Sequence, residues 1–228
     1  FIDVPGLYVH INDQKVTPVR EKPGKLWRET GLKFLFAILT NGDLLNKPYR
    51  EIAEKAEISL GAVSGLVKEL KSSGFAVEVL RYGKQELMME HKGNLIDQWA
   101  VVYNSTFRPK LSYGKFKSTN GFGGDALSGD DYYWGGEQAA SQVVGGFVAQ
   151  DLAIYSWLRQ HEVMKKYKLI PNENGNVEVI NAFWPKRFNM QNQANQAVPS
   201  LIIYADLLNS NDSRNRSIAA KLKERMLQ

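Results

Sequence analysis

"SLGAVSGLVKELKSSGF", residues 59 to 75, decides how this chain is to be read. Val63, Leu66, Val67 and Leu70 fall at the i, i+3, i+4, i+7 spacing of one helix face, so the spacing predicts an amphipathic helix. Its other face starts with Gly61, Ala62, Ser64 and Gly65, which carry almost no side chain, and continues to Lys68 and Lys71. A bare tip backed by lysines lets something large and negatively charged come close.

The flanking segments give that helix a context. "KLWRETGLKFLFAIL" (25–39) is helical in character and "TNGD" ends it with turn chemistry. "KPYREIAEKAEI" (47–58) predicts a second helix with Pro48 in its first turn, and Ser59 is placed to cap the third. "FAVEVL" and "QELMMEH", joined by "RYGK", predict a hairpin in which Phe75, Val77 and Val79 alternate and Arg81 and Lys84 stand at the tip. Helix, helix, turn, helix, hairpin is the order of a winged helix-turn-helix.

The expected organisation is therefore α+β: an arm over 1–24, a winged helix-turn-helix over 25–93, a connecting helix and linker over 94–117, and a mixed α/β C-terminal domain over 118–228. Charge follows the same division. Residues 1–117 hold 18 Lys and Arg against 13 Asp and Glu, whereas 118–228 hold 11 of each, so the whole excess of +5 lies in the first half. The chain has no cysteine, which removes disulfides and thiolate chemistry and fits a reducing cytoplasm. No apolar run approaches a membrane span, so no membrane partner is expected.

A winged helix of this kind would meet double-stranded DNA. Ser59, Gly61, Ala62 and Ser64 would let the backbone near base edges, Lys68 and Lys71 would neutralise phosphates, Lys47 and Arg50 would anchor the preceding helix, and Arg81 and Lys84 would reach an adjacent groove. Six such cations imply a salt slope of about −5. The helix has no Arg, Asn or Gln aimed at bases, so shape and phosphate contacts would carry much of the specificity. Glu69 among the lysines, and Glu78, Glu86 and Glu90 on the hairpin, leave a protein-docking module as an alternative.

The sharpest enzymatic alternative is "GFGGDALSGDDYY" (121–133), in which Asp125, Asp130 and Asp131 could hold Mg2+ for nucleotide transfer. Adjacent Asp130 and Asp131 point apart in an extended chain, so a solvated linker is the plainer reading. His10, His91 and His161 lack metal-ligand spacing. No catalytic residue, metal site or cofactor is expected. Tyr132, Tyr133 and Trp134 are expected to close the core of the second half, and Asp212 to cap a helix that opens with Arg214 and Arg216.

Five segments together resemble the AbiEi-type antitoxins of type IV toxin–antitoxin systems: "YREIAEKAEISLGAVSGLVKELKSSGF" (49–75), "WGGEQAA" (134–140), "AIY" (153–155), "GNVEVINAFW" (175–184) and "PSLIIYADLLNSNDSRNRSIAAKL" (199–222). The resemblance runs from about Lys25 to the C-terminus. It implies a transcriptional regulator that represses its own promoter, on which a homodimer is one arrangement, and a C-terminal domain that counters a nucleotidyltransferase-type toxin without requiring a stable complex. Trp134, Gly135, Gly136, Glu137, Asp206 and Arg214 belong to the family-typical motifs, and the resemblance gives them no chemical role.

Overall fold

A computed structural model describes residues 24–118, 131–145, 147–186, 196–210 and 212–228. The chain is mixed α+β, with two sheets among the described residues. A short 3-10 turn, Lys25–Trp27, leads into α1 (Glu29–Thr40), which buries Leu32, Phe34, Leu35, Phe36, Ala37 and Ile38. Burial nearly all round marks a central helix rather than a surface one. After a second 3-10 turn (Gly42–Asn46) come α2 (Tyr49–Ala56) and α3 (Leu60–Ser72), joined by a turn at Glu57 in the left-handed region, φ 51°. Ile58 N–H donates back to the Ala53 carbonyl at 3.0 Å, closing α2 with a motif that usually places glycine where Glu57 sits.

The hairpin pairs β1 (Ala76–Arg81) with β2 (Lys84–Met89) in antiparallel register from Ala76↔Met89 to Arg81↔Lys84. Its faces correct the expected alternation. Ala76 is buried and Leu87 and Met89 pack on the core, while Val77 and Met88, paired directly, point outward and are exposed. Asn46 holds the free edge of β2, its side-chain amide donating to the Leu87 carbonyl at 2.9 Å and accepting from Leu87 N–H at 2.7 Å. One side chain thus does the work of a missing strand partner.

α4 (Lys92–Val102) continues through a π-turn (Tyr103–Phe107) into α5 (Arg108–Leu111). The segment expected to be linker is not one: residues 112–118 form β3 (Ser112–Ser118), an inner strand of the second sheet. That sheet has the order β4 (Tyr132–Gly135), β5 (Leu152–Ser156), β7 (Val177–Asn181), β3, β6 (Leu169–Pro171), with β5 and β7 parallel and the other pairs antiparallel. Its two faces sort strictly by alternation. Tyr132, Ile154, Val177 and Val179 join Phe116, Val163, Tyr167 and Leu169 in a small core that includes α7 (Gln160–Tyr167). Tyr133, Ala153, Tyr155 and Ile180 face the large core, against α6 (Gly136–Val144), α8 (Ser200–Leu208) and α9 (Ser213–Leu227). Tyr132 and Tyr133 are thus core residues, as expected.

The two halves of the chain share this large core. Phe36 of α1 meets Phe183 and Trp184 with ring centroids 5.0 and 5.5 Å apart, and Trp99 of α4 donates its indole N–H to the Leu32 carbonyl at 2.9 Å. Helices α1, α4 and α8 therefore weld the first half to the second. Among the described residues no helix is long and apolar enough to cross a membrane.

Candidate functional site

The first candidate surface is the solvent side of α3 and the hairpin beside it. Val63, Leu66, Val67 and Leu70 are buried, which turns Gly61, Ser64 and Lys68 outward. A Cβ added at Gly61 would meet nothing within 4 Å. Ala62 departs from the expected face: it is half-buried and packs against the core. Ser59 stands at the N-cap with extended backbone, but its hydroxyl makes no capping bond, contrary to expectation.

Glu69 does not dilute the basic face. Its carboxylate accepts from Lys25 N–H at 3.0 Å and Leu26 N–H at 3.2 Å, capping the first 3-10 turn. That contact brings in a cation the sequence reading missed. The Lys25 ammonium sits 3.6 Å from where a Gly65 side chain would begin, so Lys25 lies across the bare face of α3. Nothing in the helix spacing points to it, because its position follows from a tertiary contact with Glu69. Lys71 moves the other way: it is ion-paired with Glu78 of β1. Lys47, Arg50, Lys68, Arg81 and Lys84 are exposed and form no ion pair among the described residues. Arg81 instead lies over the Tyr82 ring, 5.8 Å from its centroid.

The second candidate lies where the family-typical segments converge. Arg108, 8% exposed, forms a two-pronged pair with Glu178 (2.9 and 2.8 Å) and donates through Nε to Asp206 at 3.0 Å. Asp206 Oδ1 also accepts from the Tyr155 hydroxyl at 2.8 Å and Oδ2 from Gly136 N–H at 3.0 Å, while Tyr155 and Tyr103 hydroxyls lie 3.2 Å apart. Burial works against the Arg108 charge, yet Asp206 and Glu178 outweigh it and raise the pKa. Burial likewise pushes the Asp206 carboxyl up, against the pull of Arg108 and its hydrogen bonds. Both Asp206 oxygens act as acceptors, the pattern of an ionised carboxylate locked to a guanidinium.

This network explains residues to which the motifs alone gave no role. A side chain at Gly135 would strike the Tyr155 ring at 2.5 Å and Asp206 at 2.8 Å, and Gly136 turns with φ 51° to aim its N–H at Asp206. Glu137 accepts from Asn215 at 2.7 Å, Arg214 at 3.3 Å and Gln150 N–H at 2.7 Å. Asp212 caps α9 by accepting from Arg214 N–H at 2.8 Å, as expected. An open cleft of about 240 Å3 lies over the network, with Lys115 and Asp151 among its lining residues.

Of the three carboxylates considered for a metal, only Asp131 is described. Asp125 and Asp130 lie outside the described residues, and Asp131 is ion-paired with Lys166 and, at 3.2 Å, with Lys186, which hold its carboxyl below the ordinary value. Among the described residues no group of His, Asp and Glu could hold a metal.

The first surface is a bare helix face flanked by exposed cations, and the second is a structural lock that joins α5, α6, α8, β5 and β7 to the π-turn. A family model described as "Transcriptional regulator, AbiEi antitoxin, Type IV TA system" matches residues 87–228, more than half of the chain. The chain belongs to that family. The match begins inside β2, so it covers the lock and not α1 to α3. No curated protein and no solved structure matches the chain.

Proposed function

We propose that residues 25–93 form a winged helix-turn-helix that binds the duplex DNA of the protein's own promoter and represses it. In this reading α2 and α3 are the helix-turn-helix, α3 enters the major groove, and β1–β2 is the wing. The observation that carries it is the open face of α3: Gly61 with nothing near it, Ser64 and Lys68 exposed, and Lys25 crossing at Gly65. Lys47 and Arg50, at the start of α2, would fix the module to the phosphate backbone, as would Arg81 and Lys84 from the wing.

Residues 118–228 would carry the antitoxin role, opposing a nucleotidyltransferase-type toxin in the same cytoplasm without forming a stable complex with it. Membership of the antitoxin family supports this part of the reading. The shared core supports a further point: α8, which bears Asp206, packs on α1, so the two roles would sit on one rigid body.

The test is a reporter driven by the DNA upstream of the protein's own coding sequence, together with a footprint on that DNA. The wild-type chain should repress and protect a defined site. Lys68→Glu should lose both while its thermal melting is unchanged, because Lys68 is exposed and forms no ion pair among the described residues. Repression that survives Lys68→Glu intact overturns the assignment of α3.

A further inference from the structure

The hairpin tip is built against its own turn preference. Arg81↔Lys84 closes a two-residue loop in which Tyr82 and Gly83 have φ of 51° and 75°, the signature of a type I′ turn. Asn or Gly suits the first of these positions, and a bulky residue held at positive φ is an outlier. Tyr82 is nevertheless there, 93% exposed, and Leu80 beside it is 77% exposed. Apart from the Arg81 guanidinium resting over the ring, Tyr82 forms no hydrogen bond or ring contact among the described residues. The strained backbone at Tyr82 is a cost to folding that no contact among the described residues offsets, and it holds two apolar side chains out in solvent.

The charge around them says what would. "LRYGKQ" (80–85) carries two cations and no carboxylate; of the flanking acids, Glu78 of β1 is occupied by Lys71, and Glu86 of β2 follows the segment opposite Val79. An apolar point between two cations is complementary to a nucleic-acid groove, whose walls are phosphates and whose floor is stacked bases. We infer that Tyr82, supported by Leu80, is a wedge that enters the minor groove beside the α3 site and unstacks a base step there, with Arg81 and Lys84 holding the two phosphate walls. This deepens the DNA-binding reading and rests on it. No covalent step is involved.

Tyr82→Asn separates the wedge from the fold. It would create Asn-Gly, the preferred type I′ pair, so the variant should melt at the wild-type temperature or higher. The probe is a duplex of the upstream DNA with 2-aminopurine placed at successive adenine positions, and binding is followed separately by anisotropy. Saturating wild-type protein should raise 2-aminopurine fluorescence several-fold at one step flanking the footprint. Tyr82→Asn should abolish that rise and weaken binding about tenfold, the value of one base–aromatic stack, while Tyr82→Phe keeps both. A saturated wild-type complex that is silent at every position, or a Tyr82→Asn complex as bright as wild type, overturns the wedge and leaves DNA binding standing. Failure of the wild-type chain to bind the duplex at all overturns both.

Discussion

Replacing Gly61 with leucine should leave the protein folded and remove most of its DNA affinity. Gly61 lies in the first turn of α3 with nothing within 4 Å of a new Cβ, so the larger side chain extends into solvent and displaces no neighbour. Leucine is the better helix former by up to about 1 kcal/mol, less so in a first turn, which translates into a melting temperature unchanged or raised by at most roughly 2–4 °C. On the duplex the same side chain would stand between the α3 backbone and the groove. Losing the contacts of one close approach costs about 1–3 kcal/mol, or roughly five- to a hundredfold in affinity. Gly61→Ala should fall in between. The assay pairs a thermal melt with fluorescence anisotropy on the upstream duplex at fixed salt. Wild-type affinity in a fully folded Gly61→Leu protein would refute close approach at this turn. A loss of affinity that tracks a fall in melting temperature would mean that Gly61 serves the fold.

Other outcomes follow from the contacts. Arg108→Met strands the carboxylates of buried Asp206 and half-buried Glu178, and should cost about 3–5 kcal/mol, a fall of order 10 °C in melting; a cost below about 1 kcal/mol would show that the lock does not hold the C-terminal half together. Asn46→Ala frees both hydrogen bonds on the edge of β2 and should cost about 1–2 kcal/mol, with faster amide exchange at Leu87 if that contact pins the hairpin. Asp131, held low by Lys166 and Lys186, binds fewer protons folded than unfolded at mildly acidic pH, so its contribution is present above its unfolded pKa and lost as pH falls through the lower folded value. Asp131→Asn should accordingly destabilise by under about 1 kcal/mol at neutral pH and by nothing in strong acid, as measured by denaturant melts across that range.

The helices and the hairpin were legible because each carries a local signal. The 3.6-residue stripe of Val63, Leu66, Val67 and Leu70 survives intact as the buried face of α3, and Tyr-Gly marks the hairpin turn despite its unusual first residue. Strand β3 was not legible: "SYGKFKS" is polar and glycine-bearing, and its pairing with β7 and β6 depends on partners 51 to 68 residues away. The outward position of Val77 was not legible for the same reason, since only the packing of Leu87 and Met89 shows which side of the hairpin meets the core. In the candidate sites, local reading singled out Lys68, Arg81 and Lys84, which are exposed, but could not see that Lys71 is taken by Glu78 or that Lys25 arrives through Glu69. Nor could motif residues reveal that "WGGE", "AIY", "NVEV" and "YADLL" meet around a single guanidinium, because what joins them is distance in space.

The salt dependence of binding to the upstream duplex bears most directly on the central claim. With Lys25 in place of Lys71, six cations that form no ion pair among the described residues, Lys25, Lys47, Arg50, Lys68, Arg81 and Lys84, are available to phosphates. Their release of counterions predicts a log–log slope of about −5, or roughly a thousandfold loss of affinity from 50 to 200 mM salt. An affinity that changes by less than about threefold over that interval would contradict the account.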